Sequence, residues 1–231
     1  RKPIPMVKTF KILENLETHK KYSKEKPLGG YGAGVAILQN EEVVTLEKVG
    51  KVGAFSPAER LSEIVNLSEA AILVGHVRRP SSKFMKTVQF KETAQPYAVK
   101  CYQNLTVVSV HNGYIANYKE IRRKLGETHM LESEKVQLID SEVIPHFFEK
   151  MLKEKVNVDE ALDALHSALE GWSSAGLLQV EKERVFLHLI HKGNRTRGLT
   201  VWTNEQNEVV FCSRKEPLME VFGDVLARGK F

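Results

Sequence analysis

Apolar positions along this chain switch between strand-like and helical spacing, and the switches divide it into three stretches. Residues 7–22 carry Val7, Phe10, Ile12, Leu13 and Leu16 at an imperfect helical spacing, closed by the loop Pro27-Leu28-Gly29-Gly30. Residues 34–38 and 43–46 read as a β-hairpin across Gln39-Asn40-Glu41-Glu42. Ser56-Pro57-Ala58-Glu59 is a capping box with proline at the first helical position, predicting a helix to about Leu67. Residues 71–75 form a short apolar run, a buried strand, and 79–100 read as a long loop. A second buried strand, 105–110, ends in a predicted turn, His111-Asn112-Gly113. Then the helical period returns. Asn117-Tyr118-Lys119-Glu120 is a capping box for a helix to about Leu125, and a third helix runs from Ser141 to about Lys153. Asn157 caps a fourth, with Ala161, Leu162, Leu165 and Leu169 on one face. The last sixty or so residues revert to strand candidates at 175–180, 185–189, 199–203 and 209–212. Strands, then helices, then strands predict α+β with antiparallel sheets and a segregated helical layer.

Composition narrows the class. The chain has 231 residues, 42% hydrophobic, enough for a core, and no repeat or linker divides it, so 1–231 reads as one domain. No apolar run approaches the roughly eighteen residues of a membrane span, and no secretory signal is visible. Cys101 and Cys212 are too few for a disulfide framework and read as buried free thiols, which fits a cytoplasmic location. The net charge of +5 is spread among 29 acidic residues, so solvated surface is favoured over nucleic-acid binding. The chain begins with Arg1, which implies a removed leader or residues upstream.

Several segments carry candidate chemistry, each with a plainer reading. Gly29-Gly30-Tyr31-Gly32-Ala33-Gly34 precedes a strand, so it reads as close backbone approach rather than a phosphate loop. His188 and His191 lie on opposite faces of one strand and read as ordinary strand histidines, so no metal site is expected. Arg78, just past the 71–75 strand, suits a carboxylate, or a structural ion pair. Asp140 suits an ammonium group, or a simple N-cap. Asn112 and Gly113 offer a side-chain amide and a backbone N–H, the donor pair of an oxyanion hole, or a plain turn. In combination, a carboxylate binder, two oxyanion donors and an ammonium binder describe acyl transfer at the side chain of a free amino acid.

With those residues in view the chain resembles the class II glutamine amidotransferases, N-terminal-nucleophile hydrolases that release ammonia from glutamine. The resemblance rests on Gly32-Ala33-Gly34-Val35-Ala36, Gly75-His76-Val77-Arg78, Gln95-Pro96-Tyr97, His111-Asn112-Gly113 with Ile115 and Asn117, Asp140-Ser141-Glu142-Val143-Ile144, and a strand end at 213–218 containing Glu216-Pro217-Leu218. It implies a four-layer αββα sandwich of two mainly antiparallel sheets. It also implies that Arg78 binds the glutamine α-carboxylate, and that Asp140 binds the α-ammonium with the Gly113 carbonyl. Asn112 and the Gly113 N–H stabilise the oxyanion, and His76 and His111 support the site. No cofactor is implied. The expected partners are L-glutamine and an ammonia-accepting synthase or transferase subunit, and a homo-oligomer is compatible. The chain departs from the family pattern at Arg79-Pro80, at Gln95 in place of histidine, and at Ile139 in place of a hydroxyl residue. The family's nucleophile is an N-terminal cysteine, which Arg1 cannot replace. The expectation is a cysteine upstream of Arg1; the alternative is an inactive glutamine-binding or regulatory subunit.

Overall fold

Strands buried on both faces account for the uninterrupted apolar runs. In the computed structural model, which describes residues 3–18, 29–39, 43–155, 157–182, 184–193 and 198–231, the elements are β1 (Ile4–Pro5), α1 (Met6–Thr18), β2 (Gly32–Gln39), β3 (Val43–Gly50), α2 (Pro57–Ile64), β4 (Glu69–Ala70), β5 (Ile72–Val77), β6 (Tyr97–Val99), β7 (Thr106–Ile115), α3 (Tyr118–Leu125), α4 (Val143–Glu154), α5 (Val158–Ala168), β8 (Gly171–Glu181), β9 (Arg184–Lys192), β10 (Thr200–Thr203), β11 (Val209–Cys212) and α6 (Lys215–Leu226). The fold is mixed α+β. One antiparallel sheet has the order β3-β2-β5 and another β6-β7-β8-β9; β10 pairs with β11, and β1 with β4.

Alternate residues of each strand enter different apolar clusters, as a period of two demands. On β2, Ala33, Val35 and Ile37 pack with Phe10 and Leu13 of α1, Leu61 of α2, Trp202 of β10 and Leu218 of α6. Ala36, between them, points the other way and joins Val74 of β5, Val108 and Val110 of β7, and Leu178 of β8. Val107 and Leu177, on the opposite face of the four-stranded sheet, pack with Ile121 of α3, Phe148 of α4 and Leu165 of α5. Each central strand is thus sandwiched, and none shows a polar face.

Local signals hold at two helix starts. Ser56 Oγ accepts from the Glu59 N–H at 3.1 Å and Asn157 Oδ1 from the Glu160 N–H at 2.9 Å. They fail at two others. Asn117 does not cap α3; its side chain donates to the Ala168 carbonyl and accepts from the Glu170 N–H, tying the start of α3 to the α5–β8 connection. Asp140 is not an N-cap either: a 3-10 turn, Asp140–Glu142, precedes α4, and the carboxylate turns elsewhere. The expected 79–100 loop contains two 3-10 turns, Ser82–Thr87 and Lys91–Thr93, and then β6. Glu216-Pro217-Leu218 opens α6 rather than ending a strand. Residues 19–28 and 40–42, where the spacing predicts a helix end, a loop and a hairpin turn, lie outside the described residues. Among the described residues no helix is long and apolar enough to cross a membrane.

Candidate active site

The His111-Asn112-Gly113 segment is strand, not turn. It continues β7 in register with β8, His111 opposite Ala175, Asn112 opposite Ser174 and Gly113 opposite Ser173. Gly113 has no positive φ. Glycine is needed there for space: a Cβ would lie 2.1 Å from the Trp172 carbonyl oxygen and 2.5 Å from His111 Nε2.

Strand geometry then decides where the N–H groups point. Those of residues 111, 113 and 115 leave β7 on one edge. The His111 N–H donates to Gln95 Oε1 at 2.6 Å, and the Ile115 N–H donates to Asp140 Oδ2 at 3.1 Å. These partners show that the edge is the one facing away from β8. The Gly113 N–H sits between the two, beyond the end of β6, whose pairing with β7 stops at Tyr97 opposite Ser109. The side chain of Asn112 makes no hydrogen bond to any described residue.

Gln95 organises one side of this opening. Besides accepting from the His111 N–H, it donates through Nε2 to the His111 carbonyl at 3.0 Å; the same nitrogen lies 3.3 Å from Ser141 Oγ and 3.4 Å from His76 Nε2. Ser141 Oγ in turn meets His111 Nδ1 at 2.9 Å. The Gln95 backbone reaches this place because Gly34 of β2 has no side chain: a Cβ there would come within 2.4 Å of the Gln95 carbonyl oxygen. The glycine-rich stretch therefore serves close approach, as its position before a strand predicts.

Arg78 follows β5, anchored by its N–H to the Gly32 carbonyl at 2.7 Å. Its buried guanidinium donates to Thr93 Oγ1 and Thr87 Oγ1, both at 2.7 Å, and to the Thr87 carbonyl at 3.3 Å. These bonds use three of the five guanidinium N–H groups. Among the described residues Arg78 has no ion-pair partner, and neither has Asp140, although each is at least nine-tenths buried. Burial weakens the hold of Arg78 on its proton, while Tyr97 and Asp140 act the other way. The Asp140 carboxyl is pushed up by burial, opposed by the Ile115 N–H and by Lys83. His76 is pushed down to about 4, by burial and then by the Arg78 charge, so its ring is neutral at pH 7. Arg78 and Asp140 are thus two buried groups of opposite charge with no salt bridge among the described residues, and Lys83 is the cation that opposes the rise at Asp140.

The structure thus gathers Arg78, His76, His111, Asn112, Gly113 and Asp140 around one strand edge. Sequence reading alone does not assign Gln95, Thr87, Thr93 and Lys83 their parts. Gln95-Pro96 is visible as a motif position, but the threonines and Lys83 lie in an aperiodic stretch with no signal of their own. Among the described residues, the group with metal-ligand chemistry is Cys101, His129, His146 and Glu149, apart from these. His188 and His191 are hydrogen-bonded to Gln179 and Ser174.

Residues 83–220 match the family model described as a glutamine amidotransferase domain. The chain belongs to the class II glutamine amidotransferase domain family. The stretch that matches this amidotransferase domain contains His111, Asn112, Gly113 and Asp140; His76 and Arg78 lie just ahead of it. Glutamine--fructose-6-phosphate aminotransferase of Sulfurisphaera tokodaii is 31% identical over 161 residues, covering 67% of this chain and 24% of that protein. The chloroplastic amidophosphoribosyltransferase 3 of Arabidopsis thaliana is 30% identical over 183 residues, 77% of this chain and 32% of that protein. The chain therefore spans a quarter to a third of the length of these relatives. A solved structure described as the allosteric regulatory enzyme of purine biosynthesis superposes over 94% of this chain and 41% of that one, with a TM-score of 0.65 at 18% identity. The glutamine phosphoribosylpyrophosphate amidotransferase from B. subtilis gives 0.60 at 19% identity, over 93% of this chain and 40% of that one. At these identities the two structures bear on the fold alone.

Proposed function

We propose that this chain is a glutaminase domain, folded across residues 1–231 as the four-layer αββα sandwich of N-terminal-nucleophile hydrolases, that releases ammonia from L-glutamine for a separate acceptor subunit or substrate. The observation that carries the reading is the pair of buried charges, Arg78 and Asp140, each without an ion-pair partner among the described residues, beside the outward N–H of Gly113. The three apolar clusters, one between the sheets and one on the outer side of each, support the layered fold.

In this reading the two remaining N–H groups of Arg78 take the α-carboxylate, and Asp140 takes the α-ammonium with help from the Gly113 carbonyl. A cysteine thiol ahead of Arg1 adds to the side-chain carbonyl carbon, its proton passing to the α-amine of that cysteine. The oxyanion accepts from the Asn112 amide and the Gly113 N–H. Ammonia leaves with the proton from the amine, and water then cleaves the thioester to glutamate. Neither internal thiol stands in for that nucleophile. Cys212 is buried among apolar side chains, with its pKa raised by that burial, and Cys101 packs against His129, His146 and Glu149.

Intact mass of the natively expressed protein, with an ammonia-release assay, tests the proposal. The expected result is a mature N-terminal cysteine and turnover of glutamine. Glutamine turnover is expected to fall at least about tenfold in Arg78→Lys, since an ammonium cannot reproduce the guanidinium fork. A native N-terminus at Arg1 with glutamine bound but intact favours the regulatory subunit instead. Failure to bind glutamine overturns both readings.

A further inference from the structure

Behind α4, away from the strand edge just described, three separated segments bring together side chains that the proposed chemistry does not use. Cys101 follows β6, His129 lies in the connection after α3, and His146 and Glu149 stand three residues apart on one face of α4. One ligand atom from each lies within 4.8 Å of all the others. His129 Nδ1 and His146 Nδ1 face each other at 3.2 Å. Cys101 Sγ lies 3.7 Å from His146 Nδ1, and Glu149 Oε2 lies 3.8 Å from His129 Nδ1.

We propose that Cys101, His129, His146 and Glu149 form a four-coordinate site for a divalent transition metal, with zinc the best fit. A tetrahedral zinc with ordinary bond lengths sets its ligand atoms about 3.3 Å apart between nitrogens and about 3.6 Å apart between sulfur and nitrogen. The 3.2 Å nitrogen–nitrogen and 3.7 Å sulfur–nitrogen separations are near those edges, and the 3.8 Å between Glu149 Oε2 and His129 Nδ1 is about half an ångström longer, so an ion would draw the carboxylate inward. Sulfur, two imidazoles and a carboxylate form a borderline-soft donor set, unlike the all-oxygen sets that magnesium and calcium prefer.

Two further observations point to an ion rather than to a closed hydrogen-bond network. Glu149 Oε2 is fully buried and has no hydrogen-bond partner, and it points into the cluster. Its other oxygen accepts from the N–H groups of Cys101 at 2.7 Å and Tyr102 at 3.3 Å, so the carboxylate is held in place from behind, as ligating carboxylates commonly are. The two imidazole Nδ1 atoms also lie only 3.2 Å apart, a separation at which a shared cation can take both lone pairs. Cys101 is half-buried while the other three are buried, so the cysteine side is the more exposed side of the cluster. Four protein ligands leave no open position, so the role is structural. The ion would clamp the chain after β6 and the chain after α3 onto the helix whose preceding turn carries Asp140.

The test uses the full-length chain, untagged, purified without chelator from zinc-supplemented cells. Elemental analysis is expected to find one zinc per chain. Cobalt substitution is expected to give a thiolate charge-transfer band in the near ultraviolet and strong visible bands of tetrahedral coordination. Cys101→Ser should lose the near-ultraviolet band, and Glu149→Gln should bind zinc about tenfold or more weakly. Chelation should lower Tm by several degrees. Elemental analysis and the cobalt spectrum need no variant, so they stand even if a substitution fails to fold. A chain that takes up neither zinc nor cobalt overturns the proposal, as does a cobalt spectrum that Cys101→Ser leaves unchanged.

Discussion

At the scale of single residues, a neutral His76 beside a charged Arg78 is a consequence of position. His76 pairs with Gly34 of β2, its Nε2 lies 3.4 Å from the Gln95 amide nitrogen, and its Nδ1 is buried without a hydrogen-bond partner among the described residues, so a second cation there is offset only in part, by the His111 backbone. Folded, it takes its proton only near pH 4; in the unfolded chain it does so near 6.5. Between those values the unfolded chain binds more protons. His76 therefore contributes stability above pH 6.5 that is lost as pH falls toward 4. Urea midpoints compared at pH 7 and pH 4.5 should fall less steeply in His76→Gln than in the native protein. Asn112 makes the opposite kind of contribution. Its side chain has no hydrogen bond to a described residue, so Asn112→Ala should leave the thermal midpoint nearly unchanged. If Asn112 is the proposed oxyanion donor, ammonia release should drop about 10²–10³-fold. Unchanged release would remove Asn112 from the mechanism.

At the scale of elements, β7 shows how one strand performs several tasks. Its inner half fills the core with Val107, Val108 and Val110, and its outer half presents N–H groups to Gln95 and Asp140. The two halves are one continuous ladder with β8, and at Gly113 the Trp172 carbonyl oxygen and the His111 ring occupy the place of a side chain. Gly113→Ala drives a methyl into the Trp172 carbonyl and should cost about 3 kcal/mol or more in denaturant unfolding, as overpacking against a fixed backbone does. A helix cap is milder. Asn157→Ala removes a bond at the exposed start of α5 and should cost about 1 kcal/mol with the site unaffected. A ranking of these two variants in the reverse order would mean that the strand edge is softer than its contacts imply.

At the scale of the whole molecule, the two sheets hold the parts of the candidate site from opposite sides. Arg78 comes from the end of β5 in one sheet; Asn112 and Gly113 come from β7 in the other. Between the sheets lie Ala36, Val74, Val108, Val110 and Leu178. Leu178→Ala opens a cavity there and should destabilise by about 2–5 kcal/mol. Because the sheets then meet less firmly, the glutamine affinity of the proposed function should weaken along with stability. A loss of stability with affinity unchanged would show that the strand ends keep their spacing without the layer between them.

The alternation of the main strands and helices, the burial of the central strands, and the caps at Ser56 and Asn157 were legible in the sequence, whereas β6 and α6 were not. Each depends on side chains a few residues apart, where spacing and hydrogen-bond chemistry act locally. The candidate residues could be named from the sequence too, as a set of chemical types in order. Their geometry was not. Asn112 and Gly113 look like a turn until β8, some sixty residues later, pairs with them. Asn117 and Asp140 look like caps until the Ala168 carbonyl and the Ile115 N–H claim their side chains. The link from Gln95 to His111 and Ser141, and the meeting of Cys101 with His129, His146 and Glu149, join segments that share no local period. Only the pairing of β6 and β8 with β7, and the packing of α4 and its flanking connections against that sheet, bring those atoms within reach.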